Sequence, residues 1–220
     1  TIDFKRDSTR AAVTYKIYSG PQYYFNDVEY VISSPGIAQI VADAQAESKL
    51  KTGTPYSTAE LEGERDRLVT MLRNNGYYGF QKSLVRFVSD TSAGDHGVNI
   101  TMIVGDKPGA VGDSVYYIEH IPYTIKNVFI DPNYNFSKGG SAGEDTVLYK
   151  DLTILHANPI RYKSTFLESQ IHLKPYKLYN EQEVKETYRH LTGNRVFRVA
   201  EITFENIEGD TANGLNAIIQ

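Results

Sequence analysis

Five histidines, His96, His120, His156, His172 and His190, are the side chains best suited to hold a metal or pass a proton near neutral pH. No two stand four residues apart on a helix, as a zinc-binding pair needs, and no His-Glu-x-x-His run occurs. They read as surface or hydrogen-bonded structural residues. Glu60, Glu62 and Glu64 crowd together, and paired carboxylates can hydrolyse a glycoside. Acids at the start of a helix are better explained by the helix dipole and a solvated face. The run Gly139-Gly140-Ser141-Ala142-Gly143 has no following Lys and no strand-to-helix turn, so it reads as a flexible loop and not as a phosphate cradle. No serine sits in a Gly-x-Ser-x-Gly elbow. The absence of cysteine excludes disulfides, thiolate metal sites and a thiol nucleophile. These residue types point away from catalysis, cofactors and metals, toward a chain that works through its surface.

A length of 220 residues suits one large domain or two modest ones. The net charge of −4 gives no reason to expect nucleic acid as a partner. The 17 tyrosines, beside no tryptophan, fit either a contact surface or strand propensity. No uncharged apolar run approaches the roughly 18 residues of a membrane-spanning helix. Thr1 opens mid-pattern with no basic leader, so the sequence reads as an excised fragment.

The elements that position any surface come in a repeat. Leu50-Lys51-Thr52-Gly53-Thr54-Pro55-Tyr56-Ser57 returns as Leu173-Lys174-Pro175-Tyr176-Lys177-Leu178-Tyr179-Asn180, an offset of 173 − 50 = 123. Recurrence at domain-sized spacing means tandem modules. The alternation over 13–17 predicts a strand left over from a preceding unit. The first whole unit has a strand over 23–32, then a helix opened by Ser34 and Pro35 with Ile37, Ile40, Val41 and Ala44 on one face. Its second helix opens on the capping box Ser57-Thr58-Ala59-Glu60, carries Leu61, Leu68 and Leu72, and stops at Asn75-Gly76. A strand ending near Val88 and an uncharged, central strand over 98–104 complete the order β-α-α-β-β. Residues 105–112 are a linker by composition. The order then repeats: a strand over 123–130, a long loop over 131–145, an optional strand near 152–155 and a short helix over 164–172. Asn180-Glu181-Gln182-Glu183 caps a second helix with Val184, Tyr188 and Leu191 on its inner face, and strands over 198–205 and 215–220 follow. If Leu72 matches Leu191, the second helices differ by one turn, which keeps the apolar face in direction.

The segment Leu61-Glu62-Gly63-Glu64-Arg65-Asp66-Arg67-Leu68, followed by Leu72-Arg73-Asn74-Asn75-Gly76-Tyr77-Tyr78-Gly79-Phe80, resembles the POTRA domains of Omp85-superfamily proteins of TamA/BamA type, most of all the Bacteroidetes TamL proteins. The resemblance covers nearly the whole chain. It implies an α+β fold of tandem POTRA domains, each a three-stranded mixed sheet covered by two helices. Residues 1–20 would then close a preceding domain, 21–105 and 121–220 would be domains, and 106–120 would link them. In the second unit Tyr176 replaces Gly53, and Arg195-Val196-Phe197 replaces Gly76-Tyr77-Tyr78. The resemblance further implies a non-enzymatic scaffold on the periplasmic face of a Gram-negative outer membrane. Its partners would be unfolded outer-membrane proteins, a C-terminal β-barrel of its own, and periplasmic or inner-membrane assembly proteins.

In that architecture the strand after the second helix lies at a sheet edge, here Ser83, Leu84, Val85, Arg86 and Phe87 in one unit and Glu201, Ile202, Thr203, Phe204 and Glu205 in the other. An edge strand offers unpaired N–H and C=O groups to another extended chain, and such pairing reads no sequence. Lys82, Arg86, Glu201 and Glu205 could equally be present to block it. Two rivals stand beside the assembly scaffold: the POTRA arm of a two-partner secretion transporter, and an α+β enzyme with an internal duplication, which predicts a deep pocket with convergent polar groups.

Overall fold

The computed structural model describes residues 2–4, 11–92, 94–111, 114–137, 140, 145–156, 161–194, 196–207, 209 and 213–220. The short strands β1 (Ile2–Phe4) and β2 (Ala11–Val13) form an antiparallel pair. The strand expected over 13–17 does not continue: 14–23 has no regular element, and Tyr15, Ile17 and Tyr18 are 83%, 88% and 88% exposed. An alternating stretch becomes a strand only where a sheet accepts it.

The first unit runs β3 (Tyr24–Ile32), α1 (Pro35–Asp43), α2 (Thr58–Asn74), β4 (Val85–Asp90) and β5 (Gly97–Val104). Pro35 opens α1 after Ser34, whose buried side chain makes no capping bond. Ser57 caps α2 by accepting from the Ala59 N–H at 3.1 Å. The sheet order is β3-β5-β4, with β5 parallel to β3 and antiparallel to β4. Uncharged β5 is central, and its Val98, Ile100, Met102 and Val104 are buried, as strand periodicity requires. Ile37 and Val41 of α1 and Leu68 and Leu72 of α2 pack with Met102 and Val104, while Leu50 and Leu61 pack with Val98 and Ile100.

The stretch expected as a linker holds a hairpin of β6 (Lys107–Val111) and β7 (Ser114–Ile118). The second unit runs β8 (Thr124–Ile130), β9 (Asp145–Tyr149), β10 (Leu152–His156), α3 (Ser164–Gln170), β11 (Lys177–Leu178), α4 (Glu181–Gly193), β12 (Ile202–Asn206) and β13 (Gly214–Ile219). Its sheet order is β12-β13-β8-β10-β9, with β11 paired to the start of β8. Strands β12, β13 and β8 repeat the arrangement of β4, β5 and β3. The additions come from the region expected as a loop and an optional strand, where β9 and β10 form a hairpin turning at Lys150, φ +51°. Of the run Gly139–Gly143 only Gly140 is described, and Arg195 lies outside the described residues. The strand after α4 starts later than expected, at Ile202, since 198–201 packs as irregular chain.

The repeat is tighter in space than in sequence. Gly53 and Tyr176, 123 residues apart, both take positive φ, +80° and +63°. The Gly53 N–H donates to the Phe25 carbonyl at 2.7 Å, and the Tyr176 N–H donates to the Ile125 carbonyl at 2.7 Å. Each first strand has a bulge against its central neighbour, and each bulge is bridged by an asparagine pair: Asn26 donates to Asn99 at 2.7 Å, Asn127 to Asn216 at 2.8 Å. Leu68 and Leu191 are both buried at the same offset, a burial worth about 1.5–3 kcal/mol each. Two expectations change. Tyr188 is 50% exposed, and Thr187 takes the inner position beside Leu191. Glu64, expected on a solvated face, is fully buried. The pair is again 123 apart and does one job: Glu64 accepts from the Lys49 N–H at 2.9 Å, and Thr187 Oγ1 accepts from the His172 N–H at 3.0 Å. Each anchors the chain just before the repeated Leu-Lys.

Candidate functional site

The sequence-proposed edges divide between strand and turn. Val85, Arg86 and Phe87 lie in β4, while Ser83 and Leu84 belong to a 3-10 turn at Lys82–Leu84. Ile202, Thr203, Phe204 and Glu205 lie in β12, and Glu201 just precedes it, exchanging both backbone bonds with Gln220 at 2.8 and 2.9 Å. Both strands end their sheets. Pairing parity fixes which backbone groups face outward. The Leu84 carbonyl accepts from Gly105 at 3.0 Å, so alternate residues point to β5 and Val85, Phe87 and Ser89 turn their N–H and C=O outward. The Glu201–Gln220 pair likewise leaves Ile202, Phe204 and Asn206 facing outward from β12. The charges expected as guards differ in role. Lys82 is engaged by Asp66 at 2.6 Å and Glu62 at 3.1 Å, whereas Arg86 and Glu205 are exposed on the strands and Glu201 is exposed just before β12.

Side chains join the two units. Arg73 near the end of α2 donates to the Phe80 carbonyl at 2.8 Å and to Glu181 at 2.9 Å. The Gln182 N–H at the start of α4 donates to Asn74 at 3.0 Å as well as to its own cap, Asn180, at 2.9 Å. The Gly76 carbonyl accepts from the Tyr123 N–H at 2.8 Å. Gly76 has φ +93°, and a Cβ there would lie 3.0 Å from Pro122 and 3.2 Å from Leu178. The Tyr78 ring packs against Tyr123, Tyr179 and Phe204 at 5.9, 5.0 and 5.3 Å. Burial, then Glu181 and Tyr78, pushes the Tyr179 hydroxyl up to about 12. Burial works to raise the Glu181 carboxyl, but hydrogen bonds from Lys185 and Arg73 outweigh it and hold it below its ordinary value. Sequence reading saw Gly76-Tyr77-Tyr78 as a motif without seeing what it touches.

Among the described residues, no group of three or more His, Cys, Asp or Glu is placed to hold a metal ion. His172 and His190 do meet, Nε2 to Nδ1 at 2.8 Å, across a sequence separation that hid the contact. The clefts are open grooves. One of about 360 Å³ lies between Asp131–Phe136 and Phe197–Ala200 and gathers no cluster of ionisable groups. No helix among the described residues is long and apolar enough to cross a membrane.

Neither a family model nor a curated protein matches the chain. Solved structures do. BamA from Haemophilus ducreyi lacking POTRA domains 1–3 aligns with 90% of this chain and 29% of its own at 12% identity, TM-score 0.56. The fold is that of POTRA domains. POTRA3-5 of Haemophilus influenzae BamA aligns with all of this chain and 68% of its own at 14% identity, TM-score 0.49. POTRA1-2 of the periplasmic domain of Omp85 from Anabaena aligns with 91% of this chain and 96% of its own at 11% identity, TM-score 0.40. At such identities the likeness is one of fold, and the last two superpositions are too loose to add to it.

Proposed function

We propose that this chain is a non-enzymatic POTRA arm of an Omp85-superfamily protein, working on the periplasmic face of the outer membrane in the assembly or translocation of β-barrel proteins. Within that superfamily the run from Leu61 to Phe80 favours the TamL type. Residues 21–105 and 121–220 are its two domains, and 106–120 joins them. Its partners are unfolded outer-membrane proteins and the β-barrel of its parent protein. The observation that carries this reading is the pair of edge strands, β4 and β12, whose outward backbone groups flank an uncharged central strand. An unfolded barrel strand has the alternating pattern and unpaired backbone to extend such a sheet. Main-chain pairing suits many clients because it ignores side-chain identity. Weak affinity is inherent, since an ordered client strand loses about 1–2 kcal/mol of backbone entropy per residue.

The test is a photo-reactive amino acid at Val88 or Thr203, both exposed, offered an unfolded outer-membrane β-barrel protein diluted from urea. The expected result is a cross-link at both positions. Ser89→Pro removes one outward N–H without touching the β5 ladder and should abolish capture at Val88. Capture at neither position, with a solvent-exposed control on α2 equally silent, rejects the edge-pairing reading.

A further inference from the structure

The two units differ at the opposite edge of their sheets. In the second unit β10 lies parallel beside β8, Leu152 against Val128 and Ile154 against Ile130. By their pairing to the central strands, Val28 and Tyr30 of β3 hold the places of Val128 and Ile130 of β8. Val128 and Ile130 are buried at 1% and 2% exposure, while Val28, Tyr30 and Ile32 are only half-buried. Residues 53–56 pair with the start of β3 on that side, as β11 does with β8, and beyond Phe25 no described strand lies there. Instead, Tyr30 and Ile32 line an open groove of about 250 Å³ with Ala38, Val41 and Gln45 of the α1 region. A second groove of about 290 Å³ continues it past Val28 toward Leu50. The core of the first unit is thus left open where the second unit closes its own with an added strand.

We propose that the outer edge of β3 is a docking slot for one extended segment of a partner chain, bound parallel to β3 in the position that β10 holds beside β8. This site is separate from the β4 and β12 edges and stands or falls independently of them. The segment's chemistry follows from its counterpart. Leu152 and Ile154, each 3% exposed, show that two apolar side chains two residues apart point under the helices. The residue between them, Thr153, sits against Phe129. In β3 that neighbour is Glu29, exposed, with exposed Asp27 nearby. An opposite charge across strands stabilises the pair by about 0.2–1 kcal/mol. The slot therefore favours the pattern apolar–basic–apolar. Depth in the groove selects the apolar positions, and Glu29 selects the residue between them.

A peptide with the sequence of residues 149–156 carrying Thr153→Lys is the probe, titrated into the isotope-labelled chain. The expected result is saturable change confined to the amides of 28–32 and the facing side of α1. Ala38→Trp, which fills the groove from a partly exposed position, should weaken binding at least tenfold. Glu29→Lys should weaken it about fivefold and should tolerate the original Thr153 peptide better than the Lys one. Shifts confined to β4 or β12, binding unchanged by both variants, or concentration-dependent self-association in place of peptide binding would each overturn the proposal.

Discussion

Replacing Glu64 by Gln tests whether a buried charge organises the first unit. Glu64 has no exposed surface, accepts from the Lys49 N–H at 2.9 Å, and receives Arg67 Nε at 3.0 Å and Nη2 at 2.7 Å. Gln keeps the shape and one acceptor but turns an amide donor toward a guanidinium. Removing one partner of a buried ion pair costs about 3–5 kcal/mol. Arg67 keeps 16% of its side chain in solvent, so hydration recovers part of that, and the lower end, about 3 kcal/mol, is the figure to expect. At roughly 2–4 °C per kcal/mol the melting temperature should fall by about 6–12 °C at pH 7. The pH dependence has a fixed sign. Burial acts to raise the Glu64 carboxyl, but the Arg67 and Lys49 hydrogen bonds outweigh it and hold it below 4.5. A depressed folded value stabilises above the unfolded value and loses that contribution as pH falls through the folded one. The gap between wild type and Glu64→Gln, followed by circular dichroism melts, should therefore be full above pH 4.5 and narrow as pH falls below it. Glu60→Gln, in the same turn but exposed, is the control and should change stability by less than about 0.5 kcal/mol. Melting of Glu64→Gln within a degree of wild type, or a gap that does not narrow in acid, would refute the reasoning.

Gly76→Ala forces a Cβ against Pro122 and Leu178 at a φ of +93°; about 2 kcal/mol should be lost, and calorimetry should resolve two transitions where the wild type shows one. Tyr179 should reach its titration midpoint only at a pH of about 12 in an ultraviolet titration, and Tyr78→Ala should bring that midpoint down by admitting water. Tyr176→Gly should raise stability by about 0.5–1 kcal/mol, because Tyr176 is 80% exposed and takes φ +63°; a loss in denaturant melts would count against the strain argument.

What the sequence made legible was periodic or punctuated. The alternation of β5, the proline and serine that open the helices, and Gly76 gave five elements of the first unit nearly in place, because each is decided locally. The sheet order followed from the resemblance. Pairing across distance was not legible. Nothing in the spacing told that β9 and β10 would pair; only an optional strand near 152–155 was legible. Tyr176 read as a departure from Gly53, yet the backbone is the same, since flanking pairings over-determine φ. Glu64 read as solvated because three nearby acids look like a polar face; only the position of Arg67, one turn on, hinted at a buried pair. At the candidate edges, the resemblance placed the strands, and only coordinates could tell which backbone groups face outward.

The difference in length between the second helices explains how one unit meets the next. α2 has 17 residues and α4 has 13, and Leu68 and Leu191 occupy equivalent buried places, so the added four residues lie at the C-terminal end of α2. At 1.5 Å per residue they extend it by about 6 Å, one turn. That turn carries Arg73 and Asn74, which reach Glu181 and the Gln182 N–H at the start of α4. The N-terminus of α4 is thereby capped twice, once by its own Asn180 and once by the preceding unit. The reversal at Gly76 then brings Tyr78 into the aromatic cluster. A module that must hold its successor grows by a whole turn, which leaves the direction of its apolar face unchanged and adds polar reach at the tip. The same economy separates the outer edges. Between strand and first helix the first unit has residues 33–34 and the second has 131–163, which is 163 − 131 + 1 = 33 residues. The longer connection supplies β9 and β10 and seals the sheet; the shorter one leaves β3 open to a strand from elsewhere.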